Sequence, residues 1–263
     1  MRILLTNDDG IDSPGLHALV HALSPTHQMT VVAPDRERSA VSHGLTIREP
    51  LFARPVDLKG LTAYAVSGTP ADCVKLGIDQ LVEEAVPDLI VSGINNGPNT
   101  GINVFYSGTV AAAMEATFVN IPAIAVSIAS FTPRTYSVAA GITAVLVERF
   151  DVSVFHGSLV MNVNIPDCPA DCIRGMRITR QGRIRYKDHY VRRVSPGGFP
   201  YYWLDGDHPD KVCDIDVDQG AIEENWVSIT PLTADFNAGE TRVQEVERWL
   251  EISDLRTEFS LQR

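Results

Sequence analysis

The stretch ILLTNDDG, residues 3–10, decides the fold. A mostly apolar strand of four residues leads directly into Asp8 and Asp9, and Gly10 follows. In an open α/β sheet, ligands bind beyond the carboxyl ends of the strands, so this position suits a functional site. Two ionised carboxylates in a desolvated crevice repel each other, so one binds a proton or both face a metal ion. A simple polar turn is the alternative, because Asn, Asp and Gly are common turn residues.

Composition narrows the class of protein. The 263 residues are 44% hydrophobic, which suits one sizeable α/β domain with a smaller appendage. The formal net charge of −11 disfavours a surface that binds nucleic-acid polymers. We expect a soluble, cytoplasmic protein without a membrane partner, because no signal peptide is visible and the longest apolar region, residues 121–131, is too short to span a bilayer. The four cysteines lack CxxC spacing; Cys168 and Cys172 could pair, but free thiols are favoured.

Strand-like and helix-like patterns alternate along the first two thirds of the chain. Such alternation predicts a mostly parallel, doubly wound sheet with right-handed crossovers. The predicted strands are residues 3–6, 29–34, 61–66, 89–92, 124–128 and 159–163. The predicted helices are residues 14–23, residues 71–81, and a segment with Val110, Met114 and Phe118 on one face.

The alternation ends near residue 165, so we predict a core of residues 1–166 and an extension of residues 167–263 within one continuous domain. The extension contains a predicted hairpin around the turn at residues 195–198, followed by the aromatic run Tyr201–Trp203. These aromatic side chains pack either on a partner subunit or within the chain. A last core strand at 227–232 and an amphipathic helix at 240–250 complete the extension.

Polar segments follow three of the predicted strands at the same edge of the sheet. Residues 35–44 form a charged loop, and residues 93–103 form a long loop rich in glycine and carboxamides. The latter leads into YSGTVAAA, residues 106–113, where free backbone N–H groups and hydroxyls at a helix start suit a phosphate group. Two simpler interpretations remain: Ser107 as an ordinary N-cap, and the Asn/Gly segment as an ordinary surface loop.

An all-oxygen set of metal ligands is available at this edge. Asp8, Asp9, a hydroxyl such as that of Ser39 and a carboxamide such as that of Asn95 favour Mg²⁺ or Mn²⁺ over zinc. Beside an anion site, such a metal indicates hydrolysis of a phosphate ester. His43 is interpreted as a supporting loop residue rather than a general acid.

Several blocks of the chain together resemble the SurE survival-protein family. They occur in the family's order and extend over nearly the whole chain, and the set is far more specific than any single block. The blocks are NDDGI at 7–11, SPG at 13–15, APDR at 33–36 with Ser39, SGTPADC at 67–73, SGIN at 92–95 with Gly97 and Asn99, YSGT at 106–109, and SITPL at 228–232.

The resemblance implies a Rossmann-like 5′-nucleotidase that hydrolyses nucleoside 5′- and 3′-monophosphates, with some members also trimming short polyphosphate. It implies one divalent metal ion per subunit, Mg²⁺ or Mn²⁺, and dimers or tetramers that exchange C-terminal elements used for oligomerisation. By motif match, the catalytic acids are Asp8 and Asp9, and the metal ligands are Asp8, Asp9, Ser39 and Asn95. The residues that would face the phosphate are Asn99, Ser107, Gly108 and Thr109.

The chain departs from the family pattern in its extension. The turn at residues 196–198 lacks the arginine of a Pro-Arg-Gly type turn, and Asn225-Trp226 replaces the usual Gly-Tyr. These changes concern assembly and base preference rather than hydrolysis, because the blocks around Asp8 and Asp9 are intact.

Two mechanisms fit the residues. Either water attacks phosphorus directly, or Asp8 attacks and a phosphoaspartate is later hydrolysed. A nucleophilic aspartate normally occurs in an Asp-x-Asp pattern, whereas the two acids here are adjacent. Adjacent acids are better suited to binding one metal ion together, which favours direct attack by water. Rival functions are a nucleotide-binding regulator, which would not need paired acids, and a nucleotide-sugar transferase, which would need a second domain of comparable size.

Overall fold

The computed structural model describes residues 1–58, 60–82, 86–153, 155, 159–183, 187–207 and 211–252. It confirms the prediction of an α/β fold. The strands are β1 Arg2–Thr6, β2 Gln28–Pro34, β3 Ala53–Leu58, β4 Leu61–Val66, β5 Leu89–Asn96, β6 Ala123–Ile128, β7 Val160–Ile165, β8 Gly175–Ile178, β9 Lys187–Val194, β10 Pro200–Asp207 and β11 Trp226–Leu232. The α-helices are α1 Pro14–Leu23, α2 Pro70–Leu76, α3 Gly108–Thr117, α4 Ser137–Glu148, α5 Asp218–Glu223 and α6 Glu240–Ile252.

Nine strands form one sheet in the order β3-β4-β2-β1-β5-β6-β7-β11-β8. The six strands from β4 to β7 in this order are parallel, whereas β3 and β11 pair antiparallel with their neighbours β4 and β7. The chain passes outward from β1 through β2 and returns to place β5 on the other side of β1. The carboxyl ends of β1 and β5 therefore form the switch point at which ligands bind in such sheets.

Helices cover both faces of the parallel strands, which explains the nearly continuous apolar strand sequences. Helices α1 and α4 pack on one face, where Leu16 and Val147 join a buried cluster with Leu5. Helices α2 and α3 pack on the other face, where Val74 and Ala113 join a second cluster. Alternate residues of each strand supply the two clusters, as the two-residue period of a strand requires.

Local sequence signals set the helix starts. Ser13 caps α1 by accepting a hydrogen bond from the Leu16 amide, and Pro14 occupies the first turn. Thr69 and Asp72 form a reciprocal capping box at α2. The predicted helix 71–81 is α-helical only to Leu76, and Gly77–Leu81 forms one π-helical turn. At that turn Gly77 lies so close to Leu4 that an added Cβ would be 2.7 Å from its Cδ1.

The prediction that a loop begins at residue 93 is wrong. Strand β5 continues to Asn96, because after a register shift between Ser92 and Asn95 it pairs again with Ser127 and Ile128 of β6. The sequence analysis also missed β3, a polar edge strand that includes Pro55. Proline is tolerated there because an edge strand has N–H groups that need no partner strand.

The first compact unit, Met1–Thr233, also contains the start of the extension. Strands β8 and β11 complete the sheet, and β9 and β10 form the predicted antiparallel hairpin. The second unit, Ala234–Arg263, contains the predicted terminal helix as α6, on which Val243, Val246 and Trp249 are exposed. Among the described residues, none of the helices is long and apolar enough to cross a membrane.

A close contact between α1 and β5 provides a test of the packing. A Cβ on Gly15 would lie 2.3 Å from the backbone oxygen of Ile94, which cannot move without disturbing β5. We predict that Gly15→Ala lowers the free energy of unfolding by about 1–3 kcal/mol. Urea denaturation measures this change.

The matched control is Gly141→Ala on α4, where an added Cβ meets nothing within 4 Å. There we expect stabilisation by about 0.5–1 kcal/mol, because alanine favours the helix. Equal effects of the two substitutions would contradict the packing described for Gly15.

Candidate active site

Asp8 is buried at the carboxyl end of β1 and faces the start of α3. Its side chain accepts hydrogen bonds from the Thr109 amide, 3.1 Å from Oδ2, and from the Thr109 hydroxyl, 2.5 Å from Oδ1. Burial raises the pKa of Asp8, and the bonds from Thr109 oppose that shift. A Cβ on Gly108 would lie 2.9 Å from the Asp8 Cβ, so glycine at this position allows the helix to approach the acid. Asp8 and the helix start thus form one unit.

Asp9 is less well compensated than Asp8. Burial and the neighbouring charge of Asp8 raise the pKa of Asp9 to about 7, while a hydrogen bond from the Asn96 amide lowers it. Its Oδ2 is buried and has no hydrogen-bond partner. A buried carboxylate oxygen without a partner is costly, and a cation is the partner that satisfies it best.

Loop 35–44 adds a third acid that the sequence analysis did not single out. The charge of Glu37 raises the pKa of both Asp8 and Asp9. Ser39, which is exposed, donates its hydroxyl hydrogen to Glu37 Oε1 at 2.5 Å. The position of Glu37 three residues after the end of β2 was the available signal. This added negative charge strengthens the requirement for a cation.

Two backbone contacts hold this loop against the rest of the site. The Arg38 amide donates to the backbone oxygen of Asp8 at 2.7 Å. The Ser42 amide donates to the Tyr106 oxygen at 3.0 Å, and its hydroxyl donates to the Phe105 oxygen at 2.6 Å. The loop that contains Ser39 therefore connects β1 to the segment just before Ser107.

The structure distinguishes Asn95 from Asn96, which sequence reasoning alone could not do. The two residues are consecutive on β5, so their side chains point to opposite faces of the sheet. Asn95 pairs with Ser127, and its Nδ2 donates to the Gly97 oxygen at 2.8 Å, so Oδ1 points away from Gly97. Asn96 pairs with Ile128 on the face covered by α1 and α4. Asn95 therefore lies on the face of the sheet that α2 and α3 cover, and Asn96 lies on the other face.

Asn99 is fixed by four hydrogen bonds to β6 and β7. Its amide donates to Asn164 Oδ1 at 2.7 Å, and its Nδ2 donates to the Ser127 hydroxyl at 2.8 Å. Its carbonyl oxygen accepts from the side chains of Asn162 and Asn164. Asn162, Asn164 and Ser127 are fully buried. Through these four hydrogen bonds, Asn99 anchors the loop before α3.

Ser107 is the N-cap of α3, because its hydroxyl accepts from the Val110 amide at 3.1 Å. Gly108 begins the helix beside Asp8, as described above. The amide and the hydroxyl of Thr109 both donate hydrogen bonds to Asp8. The N-cap and the phosphate-site interpretations of Ser107 agree, since a capped helix start still presents backbone N–H groups to an anion.

The buried Glu115 of α3 connects this helix to α2 and to the loop of residues 35–44. Glu115 accepts a hydrogen bond from His43 Nε2 at 2.8 Å and from Lys75 Nζ at 3.0 Å. The His43 ring stacks on Phe118 at a centroid distance of 5.5 Å. His43 therefore supports the Ser39 loop, in agreement with its sequence interpretation.

Asp218 anchors the loop before α3 from the far part of the chain. Its Oδ2 accepts from the Gly101 amide at 2.8 Å, and its Oδ1 accepts from the amides of Gly182 and Gln219. Gln181 adds a bond from Nε2 to the Gly101 oxygen at 2.7 Å. The extension is therefore part of the support of the site, a role that no local sequence motif indicated.

The donor set fits a hard divalent cation. In the part of the chain that the structure describes, no group of three or more His, Cys, Asp or Glu side chains is arranged to hold a metal. Any cation at the switch point would therefore combine the two carboxylates with neutral oxygens, as Mg²⁺ and Mn²⁺ accept. The unpartnered Asp9 Oδ2 supports this fit.

These features define the class: an α/β protein with an acidic, oxygen-lined site beside a helix start at the switch point of its sheet. The sequence model of the survival protein SurE family matches residues 3–188. The 5′-nucleotidase SurE of Thermosipho africanus is 43% identical, over 97% of this chain and 100% of that protein. The 5′-nucleotidase SurE of Fervidobacterium nodosum is 41% identical, over 94% and 96%.

A solved structure of a SurE protein also matches this chain. The crystal structure of the SurE protein from Aquifex aeolicus matches with a TM-score of 0.82 and 38% identity, covering 95% of this chain and 100% of that chain. This protein belongs to the survival protein SurE family. The resemblance drawn from the sequence blocks is confirmed.

The contacts of Glu115 predict a pH-dependent contribution to stability. The hydrogen bonds from His43 and Lys75 lower the pKa of Glu115 below its usual 4.5. Its stabilising effect is therefore present above pH 4.5 and is lost as the pH falls through the lowered pKa. We predict that Glu115→Gln lowers the free energy of unfolding by about 1–3 kcal/mol at neutral pH.

The measurement is urea denaturation of the variant and the wild type between pH 3 and pH 7. The exposed Glu148→Gln on α4 is the control and should change stability little at any pH. A Glu115→Gln effect that is independent of pH would rule out an ionic contribution from this cluster.

Proposed function

We propose that this protein is a metal-dependent 5′-nucleotidase that hydrolyses nucleoside monophosphates to nucleoside and phosphate. The observation that carries the proposal is the pair of buried acids, Asp8 and Asp9, with an unpartnered Asp9 oxygen beside the start of α3. Relatives of more than 40% identity that match nearly full length are named 5′-nucleotidase SurE, which supports this activity. Activity on nucleoside 3′-monophosphates and short polyphosphate belongs to the same proposal.

Each site residue has a proposed role. Asp8, Asp9, Ser39 and Asn95 would hold one Mg²⁺ or Mn²⁺ ion per subunit. When bound, such an ion supplies positive charge that neutralises phosphate oxygens and favours attack by water. Ser107 and Gly108 would bind the phosphate through the helix start. Thr109 was also predicted to face the phosphate, but its amide and hydroxyl both donate to Asp8, so we propose that it holds this acid in place. Asn99 would contact the phosphate from its position in the loop before α3, where hydrogen bonds to β6 and β7 anchor it.

The contacts of Asp8 favour direct attack by water over a phosphoaspartate. Both of its oxygens accept hydrogen bonds from Thr109, and the residue is only 5% exposed. Hydrogen bonds to both oxygens lower the nucleophilicity of the carboxylate, while each oxygen keeps a second lone pair that a metal ion can use. Trapping experiments with labelled substrate should therefore yield no phosphoenzyme.

The test of the function is phosphate release from a panel of nucleoside 5′- and 3′-monophosphates and short polyphosphate, with Mg²⁺, with Mn²⁺ and with EDTA. We expect metal-dependent release and a decrease of about 10²–10⁴-fold in Asp9→Asn, because the substitution removes a charged ligand from the site. Asp12→Asn is the matched control, since Asp12 lies three residues away and is exposed. If the folded wild-type protein releases no phosphate under any condition, the hydrolase proposal is wrong and a nucleotide-binding function is favoured instead.

We also propose that the protein is cytoplasmic and forms a homo-oligomer. All four cysteines are free thiols, as expected in a reducing compartment. The hairpin of β9 and β10 exposes large apolar side chains, which are costly to leave in water. They are Tyr190, Phe199, Tyr201, Tyr202, Trp203 and Leu204, each at least 40% exposed. Packing within the described chain does not cover them, which favours a partner subunit.

The oligomer can be tested by light scattering after size-exclusion chromatography. We predict a mass at least twice the 28.7 kDa of one chain, and a smaller mass for Trp203→Ser. The exposed Val152→Ser, outside the hairpin, should leave the mass unchanged. If Trp203→Ser keeps the wild-type mass, the hairpin does not hold the assembly together.

A further inference from the structure

Phe131 follows β6 at the carboxyl edge of the sheet, and its ring lies on the backbone of Gly97. A Cβ added to Gly97 would be 2.8 Å from Phe131 Cδ1 and 3.2 Å from Cζ, and closer still to Cε1 between them. Gly97 is buried, whereas Phe131 is 63% exposed. One side of the ring therefore packs on the end of β5, while much of the ring faces solvent.

Gly97 connects this ring to the proposed metal site. Its backbone oxygen accepts a hydrogen bond from Asn95 Nδ2 at 2.8 Å. Because only one residue separates Asn95 from Gly97, their Cα atoms are at most about 7 Å apart. Strand β5 lies between β1, which leads to the two acids, and β6, which leads to Phe131. The exposed ring is therefore at the rim of the switch point.

The loop of residues 129–136, which contains Phe131, is held at both ends. At its start, the Ala129 amide donates to the Ile165 oxygen of β7 at 2.8 Å. At its end, the Tyr136 hydroxyl donates to Asn96 Oδ1 at 2.6 Å. These bonds and the contact with Gly97 give the ring a defined position before any ligand arrives. A preformed surface of this kind lowers the entropic cost of binding.

We propose that Phe131 is the surface on which the base of the substrate nucleotide stacks. This inference rests on the proposed function, because the stacked base belongs to the nucleoside monophosphate. A flat aromatic ring that is fixed on one side and open on the other suits a nucleobase, which is itself flat and aromatic. Every base has a π-face, so stacking on Phe131 accepts purines and pyrimidines alike.

Tyr106 is the other candidate for this role, since it is 58% exposed and lies at the same edge of the sheet. It directly precedes Ser107, which is proposed to bind the phosphate. In a nucleotide, however, a ribose separates the phosphate from the base. Phe131, which packs two residues beyond Asn95 along the chain, leaves room for that ribose, so it fits the base better.

The first experiment compares kcat/KM for AMP with kcat/KM for ribose 5-phosphate, which lacks the base. We expect Phe131→Ala to lower the value for AMP by about 5–150-fold, the contribution of base–aromatic stacking. The value for ribose 5-phosphate should stay within about twofold of the wild type. Phe131→Trp should keep the activity on AMP, whereas Phe131→Leu, which still covers Gly97 but has no ring, should lose it.

Three outcomes of this comparison would overturn the inference. Equal losses on both substrates in Phe131→Ala would mean that the ring only holds Gly97 and Asn95 in place. Unchanged activity on AMP would mean that the base does not touch the ring. A loss confined to AMP in Tyr106→Ala, and absent in Phe131→Ala, would place the base on the α3 side of the site.

The second experiment separates this inference from the proposed function, because it measures binding without hydrolysis. The probe is the phosphonate analogue of AMP in which a methylene group replaces the ester oxygen, titrated by calorimetry in the presence of Mn²⁺. We expect Phe131→Ala to weaken binding of the analogue by about 5–150-fold and to leave the affinity for inorganic phosphate unchanged.

If the wild type binds the analogue through Phe131 but releases no phosphate from AMP, the hydrolase proposal fails and the stacking role stands. If the wild type and Phe131→Ala do not differ in their binding of the analogue, the stacking role is wrong, whatever the protein catalyses.

Discussion

The burial of two neighbouring carboxylates at the end of β1 is the constraint on which the rest of the site depends. Removing a carboxylate from water costs several kcal/mol unless other groups compensate. For Asp8, Thr109 supplies this compensation through two hydrogen bonds, and Gly108 leaves space for them. Asp9 instead has a buried oxygen, Oδ2, without a hydrogen-bond partner. The two acids are therefore supported unequally, and the Asp9 oxygen without a partner is the one that most needs a cation.

Contacts to the ends of β1 and β5 come from both faces of the sheet. On one face Thr109 of α3 donates to Asp8, and on the other face Tyr136, just before α4, donates to the side chain of Asn96 at the end of β5. This arrangement is possible because β1 and β5 are central strands with helices on both sides. Side chains at the starts of helices on both faces therefore contact the strand ends of the switch point.

Sequence patterns predicted most of the parallel core and the loops of the site, because buried strands are apolar throughout and helix starts have local capping signals, as at Ser13 and Thr69. These patterns failed where contacts between residues far apart in the sequence determine the structure. The end of β5 was assigned to a loop because its glycine and asparagines are unfavourable in strands, yet pairing with Ser127 and Ile128 extends it. The effects of Glu37 and Asp218 also depend on partners far along the chain, which no local pattern indicates.

Asp218 binds the amide of Gly101, 117 residues earlier in the chain. Because the ribosome makes the chain from its amino end, the loop before α3 is synthesised long before its anchor. A growing chain can assemble β1, β2 and β5 while this loop still lacks Asp218, and β11, which follows Asp218, completes the sheet later still. A nascent or truncated chain that ends before Asp218 would therefore have both acids without a fixed loop beside them, so the finished site appears only after Asp218 has been made.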